Sequence, residues 1–575
     1  MGSVDLQTLR DIQKTHWPQG VPHHLTVPDE SLWKAFSQLG ETSPKEIGLN
    51  YLGNNYTWEE LVDAASRLAS AMQDLGVGQG DRVILFAQNC PQWVISFHAV
   101  VRLGAVVVPV NPMNKAVELT HYIEDAHATL AIASSDIATE LIKANASTRV
   151  LHDLIVFELA DALPKDAAAI GALPELWQRW LMTRHGLPEA EGVHVHPWAE
   201  VITHDVLPIS TQVHGADLAL LPYTSGTTGL PKGCMHTHAS LMHNAIGAGP
   251  WLDLRAGDKQ MIVVPLFHIT GLVMGMLACI QNGAQIVLLP RWDRQVAGRT
   301  ITQQQVTHWP NIPTMVIDLL SGDDLDQYKL SSLRYIGGGG APMPDAVGER
   351  LKLVYDLDYV EGYGLTESSA PTHLNPMSAP HRHCLGIPYI GTEAFIMDAE
   401  TLQPLPVGEV GEIVAMGPQL FKGYWKQAEA TQQAFVTIEG QSYFRTGDMG
   451  RMDADGYFYM ADRLKRMINA SGFKVWPAEV EALLHHHEAI KESCVISTKD
   501  PYRGENVKAL VVLHEKFKAQ VTTEEIMEWA KNNMAAYKYP REVVFVDELP
   551  RTATGKVLWR KAQAMQDLED SQKSR

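Results

Sequence analysis

Short apolar segments alternate with segments of helical periodicity along much of the chain. The apolar segments lie at 82–87, 105–110, 129–133, 261–265, 285–289 and 333–337. A helical pattern over about 57–75 opens with Thr57 and Glu60, the spacing of a capping box. Strands that alternate with helices form parallel sheets joined by crossover helices. The sequence therefore predicts an α/β fold with large parallel-type sheets.

The pattern changes in three places, and these changes predict the domain organisation. Residues 160–215 lack a clean period and predict a surface connection. Residues 386–460 are rich in glycine and short strand-like segments, which favours a β-rich subdomain. A charged junction then precedes a segment with its own strand and helix patterns. We expect an N-terminal domain at 1–462, a hinge at 463–467 and a small mobile α+β domain at 468–575.

Chain length, net charge and the length of the apolar runs argue against several classes of protein. A chain of 575 residues is too long for one core, so two to four domains are expected. The formal net charge of −19 argues against nucleic acid as a partner, which needs a basic surface. The apolar runs 104–110 and 269–280 are too short to span a bilayer, so any membrane contact is expected to be peripheral.

Cysteine usage and the N-terminus predict a cytoplasmic protein. Five scattered cysteines show no pairing pattern or zinc spacing: Cys90, Cys234, Cys279, Cys384 and Cys494. The N-terminal residues contain no apolar stretch typical of a signal peptide. The sequence leaves the oligomeric state open, with a homodimer as one option.

Residues 223–233 read YTSGTTGLPKG and predict a loop that binds a polyphosphate. Glycines allow a tight turn and a close approach of the backbone to a ligand. Hydroxyl and backbone N–H groups can donate to phosphate oxygens, and Lys232 adds a positive charge. The loop lacks the Gly-Lys-[Ser/Thr] ending of a Walker A motif. A surface turn rich in Ser, Thr and Gly is the alternative.

Five further segments carry residues suited to nucleotide and acyl chemistry. They are 265–268 (PLFH), 337–342 (GGGGAP), 361–367 (EGYGLTE), 443–448 (YFRTGD) and 550–556 (PRTATGK). Each has a simpler interpretation when taken alone. A histidine, a glycine turn, a solvated acid and an exposed lysine are all common without any function.

Together and in this order, these segments resemble the motifs of the acyl-adenylate-forming superfamily over nearly the whole chain. That superfamily includes acyl-CoA synthetases, luciferases and adenylation domains of peptide synthetases. The resemblance implies binding of ATP, Mg²⁺ and coenzyme A. The implied ATP- and AMP-binding residues are Thr224, Ser225, Gly226, Thr227, Thr228, Gly229, Lys232, Gly340, Ala341, Gly362, Tyr363, Gly364, Asp448 and Arg463.

The resemblance also implies individual roles. Tyr363 stacks on adenine, while Asp448 and Arg463 bind the ribose. Glu367 and Thr224 hold Mg²⁺, because a carboxylate beside phosphates repels them unless a hard cation joins the two. The implied catalytic residues are Lys556, His268, Thr366 and Glu367.

A mobile C-terminal domain is implied as well. Lys556 neutralises the repulsion between a carboxylate and the α-phosphate of ATP. Rotation about the hinge residue Lys465 then removes it. Ser471, Gly472 and Phe473 line a tunnel for the pantetheine arm of coenzyme A, and Gly472 keeps that tunnel open.

The implied activity is that of an AMP-forming acid–CoA ligase. A small-molecule carboxylic acid and ATP give an acyl-adenylate and pyrophosphate, and coenzyme A then displaces AMP. The implied pocket segments are 243–251, 269–274, 311–315 and 337–341, which contain no Arg, Lys, Asp or Glu. A medium- or long-chain fatty acid, or another apolar monocarboxylic acid, is therefore predicted.

Several alternatives stay open, and others are disfavoured. An aryl acid–CoA ligase, a luciferase-type oxidase and a non-catalytic nucleotide-binding scaffold share these motifs. An amino-acid substrate is disfavoured, because the resemblance places His268 near the position of an Asp in peptide synthetases, and no carrier domain follows Lys556. The histidines at 381, 383 and 485–487 are not expected to hold a metal, since consecutive side chains diverge around a helix.

Overall fold

The computed structural model describes residues 5–224, 230–463, 466–470, 473–500, 504–518, 520–534, 538–551 and 557–573. It divides into two compact units. The larger unit contains residues 13–393 and 415–444. The smaller unit contains the described parts of 1–12, 394–414 and 445–575. The domain boundaries expected at 462 and 468 remain a prediction.

The larger unit is built on two sheets, which we call sheet A and sheet B. Sheet A has nine strands in the spatial order Ile387–Pro388, Ala370–Leu374, Tyr359–Leu365, Tyr335–Gly339, His308–Asn311, Lys259–Ile262, Gln285–Leu288, Ile47–Tyr51 and Asn54–Thr57. The six strands from Tyr359–Leu365 to Ile47–Tyr51 are parallel. The outer strands at both edges are antiparallel.

Sheet B has seven strands and is also mainly parallel. Its order is His236–Thr237, Leu218–Leu220, Val106–Pro109, Arg82–Phe86, Leu130–Ser134, Asp153–Phe157 and His194–Pro197. Only the first pair is antiparallel. Buried Val, Ile, Leu and Ala side chains fill the space between this sheet and its helices.

Helices connect the strands as the alternating pattern predicts. In the larger unit they are Leu32–Thr42, Trp58–Asp74, Pro91–Arg102, Ala116–Ala126, Ala138–Thr148, Ala167–Gly171, Glu175–Met182, Trp198–Val201, His238–Leu252, Gly271–Leu277, Ala278–Asn282, Arg294–Gln304, Pro313–Ser321, Asp345–Tyr355 and Ala428–Gln433. Thr57 and Glu60 form the predicted capping box, because each side chain accepts from the backbone N–H of the other. The α/β fold is confirmed.

The smaller unit is mixed α and β. Strand Ile490–Asp500 pairs along its length with Gly504–Leu513, which also contacts Ile468–Ala470 and Glu542–Phe545. Strand Phe473–Val475 pairs with Ile468–Ala470. Strands Glu393–Met397, Gly411–Met416 and Gln441–Met452 carry the chain from one unit to the other, and Phe458–Arg463 follows. The helices are Leu6–Ile12, Pro477–Leu484, Thr523–Asn533 and Trp559–Lys573.

The sequence did not reveal the regular elements within the predicted surface connection. Residues 160–215 contain regular elements: helix Glu175–Met182 buries Trp177 and Leu181, and His194–Pro197 forms the edge strand of sheet B. An edge strand pairs on one side only, so its sequence needs few apolar residues and lacks the pattern of a buried strand. Among the described residues, none of the helices has the length and apolar character that a bilayer crossing needs.

Candidate active site

The base of the predicted phosphate loop is a two-stranded ladder. Strand Tyr223–Thr224 runs antiparallel to Lys232–Gly233, and Thr224 lies opposite Lys232. The predicted loop residues 225–229 lie outside the described residues. Thr224 and Lys232 are therefore brought together on the two sides of the loop where it begins and ends.

One helix holds both ends of this loop. Tyr223 Oη donates to Asp125 Oδ2 at 2.7 Å, and His121 Nε2 lies 2.7 Å from the carbonyl oxygen of Pro231. Because a carbonyl oxygen only accepts, His121 carries its proton on Nε2 there. Burial, followed by the Asp125 carboxylate, raises the pKa of Tyr223, so its hydroxyl stays a donor. His121 and Asp125 lie on helix Ala116–Ala126.

Lys232 and Glu367 both contact Tyr424. The ammonium of Lys232 lies 5.0 Å from the centroid of the Tyr424 ring, the geometry of a cation–π contact. The hydroxyl of Tyr424 donates to Glu367 Oε1 at 2.9 Å. Burial, and then the Glu367 carboxylate, raises the pKa of Tyr424, so the hydroxyl keeps its proton. The sequence pattern did not reveal Tyr424 as a site residue.

Buried polar side chains shape the turn that carries Thr366 and Glu367. His236 Nε2 lies 2.7 Å from the carbonyl oxygen of Thr366, and its Nδ1 lies 2.9 Å from Ser369 Oγ. Burial lowers the pKa of His236 to about 4, so the ring is neutral and acts as a fixed donor. The amide nitrogen of Asn244 lies 3.0–3.2 Å from the carbonyl oxygens of residues 368, 369 and 371.

The glycine-rich segments of the site are strand ends in sheet A. A Cβ atom on Gly338 would lie 1.8 Å from the carbonyl oxygen of Asn311, and one on Gly364 would lie 1.9 Å from that of Ala370. These positions thus require glycine because the backbone of an adjacent segment lies so close, and this holds with or without a bound ligand. Gly340 has a φ of +91°, and both it and Ala341 are exposed.

Tyr363 lies next to Gly362 and Gly364 on the same strand, with its ring buried. The ring centroid lies 5.8 Å from that of His373. Burial lowers the pKa of His373 to about 3, so this neighbour is uncharged. The carboxyl ends of parallel strands meet at one edge of a sheet, where α/β proteins bind their ligands. Asn311, Gly339 and Tyr363 all lie at that edge of sheet A.

His268 lies on the loop after strand Lys259–Ile262, at the same edge. Its Nδ1 accepts from the N–H of Thr270 at 3.3 Å. The loop is held by buried Asn89, whose Oδ1 accepts from the N–H of Leu266 at 2.8 Å. The amide nitrogen of Asn89 donates to the carbonyl oxygens of Val264 at 3.3 Å and Leu289 at 3.2 Å. Sequence reasoning also missed Asn89.

Asp448, in the smaller unit, is buried and lies opposite Arg463 in an antiparallel pair. The turn before it contains Gly447, with a φ of +70°. The buried carboxylate of Glu412 accepts from Arg445 Nη2 at 2.7 Å and from the N–H of Gly447 at 3.0 Å. This turn is therefore fixed by charge-assisted hydrogen bonds before any ligand arrives.

Other predicted site residues lie outside the described residues: Lys465, Ser471, Gly472 and Lys556, together with the side chains of Arg463 and Phe473. The ends of the segment that contains Lys556 are described. Arg551 forms an antiparallel bridge with Val557, and the N–H of Leu558 donates to the carbonyl oxygen of Pro550 at 2.6 Å. Arg551 also pairs with Glu492 at 2.5 Å.

The residue types predicted to hold Mg²⁺, a carboxylate and a hydroxyl, suit a hard cation that arrives with its substrate. Glu367 and Thr224 offer oxygen ligands. Within the described residues, no group of three or more His, Cys, Asp or Glu side chains could hold a metal alone. Mg²⁺ is commonly bound by one or two carboxylates plus phosphate oxygens and water, which agrees with this set.

Comparison with known proteins gives one consistent family. The family model described as AMP-binding enzyme matches residues 36–425, and that of the AMP-binding enzyme C-terminal domain matches 479–556. A long-chain-fatty-acid–CoA ligase of Bacillus subtilis (strain 168) is 34% identical over 551 residues, covering 95% of this chain and 96% of that protein.

Two further relatives handle aromatic acids, according to their names. A feruloyl-CoA synthase of an Amycolatopsis species is 32% identical over 520 residues, covering 90% of this chain and 95% of that protein. The crystal structure of an anthranilate CoA ligase in complex with anthranoyl-AMP superposes with a TM-score of 0.81 at 26% identity. That superposition covers 95% of this chain and 99% of the other.

Proposed function

The chain belongs to the AMP-binding enzyme family and is an AMP-forming acid–CoA ligase, and we propose that its acid is a medium- or long-chain fatty acid or another apolar monocarboxylic acid. In the first half-reaction, a carboxylate oxygen attacks the α-phosphorus of ATP and pyrophosphate leaves. In the second, the thiol of coenzyme A attacks the acyl carbonyl carbon and AMP leaves. ATP and coenzyme A are the two further substrates.

One observation supports the adenylation chemistry in particular: the Lys232 ammonium and the Glu367 carboxylate both contact Tyr424, beside the base of the phosphate loop. The first half-reaction brings an anionic acid to an anionic triphosphate, so it needs positive charge where the phosphates lie. Lys232 supplies one such charge. Glu367 and Thr224 would hold Mg²⁺, which when bound neutralises phosphate charge as a Lewis acid.

The other predicted residues receive roles around this centre. Tyr363 would stack on adenine, with Gly340, Ala341, Gly362 and Gly364 beside it. His268 would lie between the acid and the nucleotide, and Asp448 with Arg463 would bind the ribose. Lys556 would reach the carboxylate and the α-phosphate during adenylation. The roles of His268 and Asp448 are supported by hydrogen bonds that hold their backbone segments in place, from Asn89 to the first segment and from Glu412 to the second.

We also propose that the two half-reactions use different orientations of the C-terminal domain. Rotation about Lys465 would withdraw Lys556 and bring in Ser471, Gly472 and Phe473 to admit coenzyme A. A cytoplasmic location is supported by all five cysteines, each buried as a thiol in the structure. Any membrane contact would be peripheral.

The choice of an apolar acid follows from the predicted pocket segments. Ile269, Met274 and Met315 are buried, and these segments contain no charged side chain that could pair with a second polar group of the acid. A buried site without such a partner disfavours a charged substituent, because desolvation of that substituent would not be offset. The relatives that carry fatty-acid names point in the same direction.

An aryl acid is the second candidate. It is favoured by the feruloyl-CoA synthase and anthranilate CoA ligase relatives, which cover nine-tenths or more of this chain. An apolar pocket accepts an aromatic ring as readily as an alkyl chain when its shape allows. Chain length and ring size therefore have to be separated by experiment.

Pyrophosphate exchange into ATP across a panel of acids tests the proposal. The panel should contain saturated fatty acids of graded length together with benzoate, ferulate and anthranilate. Exchange that rises with chain length, followed by thioester formation with coenzyme A, is the expected result. Exchange with aryl acids alone would establish the second candidate. A chain that binds ATP but exchanges with none of the acids would overturn both.

A further inference from the structure

We infer that Tyr424 is a positioning residue of the phosphate site, which orients the Glu367 carboxylate through its hydroxyl and fixes the Lys232 ammonium on its ring. The inference rests on the proposed function, since Glu367 and Lys232 are the charged groups assigned there to the metal and the phosphates. Tyr424 touches neither reacting centre itself. It acts through the two residues that do.

The backbone around Tyr424 is fixed to the strand that leaves the phosphate loop. The N–H of Trp425 donates to the carbonyl oxygen of Gly233 at 2.8 Å, and the N–H of Met235 donates to that of Gly423 at 3.0 Å. Cys234 and Tyr424 form an antiparallel bridge between these bonds. The backbone of Tyr424 is therefore held beside the strand that carries Lys232, which lies two residues before Cys234.

A second set of contacts connects Tyr424 to the turn of Glu367. The ring of Phe421 lies edge-on to that of Tyr424, with centroids 4.9 Å apart. The N–H of Phe421 donates to the carbonyl oxygen of Glu367 at 2.8 Å. The segment 421–424 thus binds the backbone and the side chain of Glu367 together, which sets the direction of the carboxylate.

The hydroxyl of Tyr424 holds the Glu367 carboxylate and its ring holds the Lys232 ammonium, so the two opposite charges are kept apart. A hydroxyl that donates to one carboxylate oxygen leaves the other lone pairs of the group able to bind a cation. A cation–π contact is weaker than an ion pair, so the lysine can exchange it for phosphate oxygens. Without the ring, Lys232 could move onto Glu367, and the ion pair would occupy both groups.

Two substitutions separate these roles. Tyr424→Phe removes the hydroxyl and keeps the ring, while Tyr424→Leu removes both. Binding of ATP, measured by titration calorimetry with and without Mg²⁺, reports on each role independently of turnover. Loss of a hydrogen bond to a charged group weakens affinity by about tenfold or more. We expect Tyr424→Phe to lower ATP affinity about tenfold in Mg²⁺ and less than about twofold without it.

Tyr424→Leu should lower ATP affinity under both conditions, because Lys232 is then released to Glu367. In a Glu367→Gln background, Tyr424→Phe should cause no further loss of the ATP affinity that depends on Mg²⁺. Tyr328→Phe is a matched control, since Tyr328 donates a similar bond to Asp324 at 2.5 Å outside the site. It should bind ATP as the wild type does.

Two outcomes would overturn the inference. One is a Tyr424→Phe protein with wild-type ATP affinity at every Mg²⁺ concentration. The other is equal weakening with and without Mg²⁺, which would indicate a purely structural role. The wild type is assayed first for pyrophosphate exchange, so a failure of the proposed function is recognised separately. If Tyr424→Leu fails to fold, the Tyr424→Phe titration alone decides.

Discussion

Replacement of Asn89 by alanine tests how the loop that carries His268 is held. The side chain is buried and makes four hydrogen bonds to backbone groups of the larger unit, three of them on the segment 263–266, of which the bond to Val263 is long at 3.5 Å. Each such bond contributes about 1 kcal/mol net. Asn89→Ala also leaves the N–H of Leu266 without this acceptor. We expect the free energy of unfolding to fall by about 3 kcal/mol.

The same change should affect catalysis selectively. A loop that has lost its anchor lets His268 move relative to the bound acid, so kcat/KM for the acid should fall while the Kd for ATP stays near that of the wild type. Urea unfolding followed by tryptophan fluorescence measures the first effect, and steady-state kinetics measures the second. Asn54→Ala is the control, since the side-chain amide of Asn54 donates to Tyr56 and to the carbonyl oxygen of Ala162 at a half-buried position away from His268. The reasoning would be refuted if Asn89→Ala lowered the free energy of unfolding by less than about 0.5 kcal/mol and left the kinetics unchanged.

Three other outcomes are expected. Lys556→Ala should slow adenylation by about 100-fold or more while thioester formation from supplied acyl-adenylate stays near wild type, and equal loss of both half-reactions would contradict the two-orientation account. Burial raises the pKa of Glu361 from 4.5 to about 6, so its contribution to stability is fully present below pH 4.5 and falls by about 2 kcal/mol as pH rises through 6. Glu361→Gln should remove that slope in unfolding measured from pH 4 to 7, with His383 and Asp345, the titratable neighbours, left intact. Chelation of divalent cations by EDTA should stop pyrophosphate exchange, and Mg²⁺ should restore it; exchange that persists in EDTA would remove the metal role of Glu367.

Local signals predicted much of the fold. Thr57 and Glu60 interact only with neighbours in sequence, so their capping box could be recognised without the tertiary structure. The strand at 82–87 was also recognisable, because a strand buried on both faces is apolar throughout. Strand His194–Pro197 was missed, since its place in sheet B depends on pairing with Asp153–Phe157 and on no pattern of its own.

In the candidate site, too, local motifs could be recognised from the sequence, whereas contacts between distant segments could not. Lys232 and Glu367 belong to recognisable segments, while the groups that hold their surroundings do not. Asn89 acts on Leu266 across 177 residues, and Tyr424 acts on Glu367 across 57. A single asparagine or tyrosine has no sequence signature, because its partners are defined only once the chain has folded. The need for glycine at position 338 also arises across the sheet, because a Cβ atom there would lie 1.8 Å from the carbonyl oxygen of Asn311.

Helix Ala116–Ala126 bears both attachments of the phosphate loop, His121 and Asp125, one turn apart on the same side. Such an arrangement would make nucleotide affinity depend on the integrity of a helix that lies outside the phosphate loop itself. Disruption of that helix would release both ends of the loop. Substitutions along its exposed side thus offer a remote means to tune ATP affinity while the loop sequence stays intact.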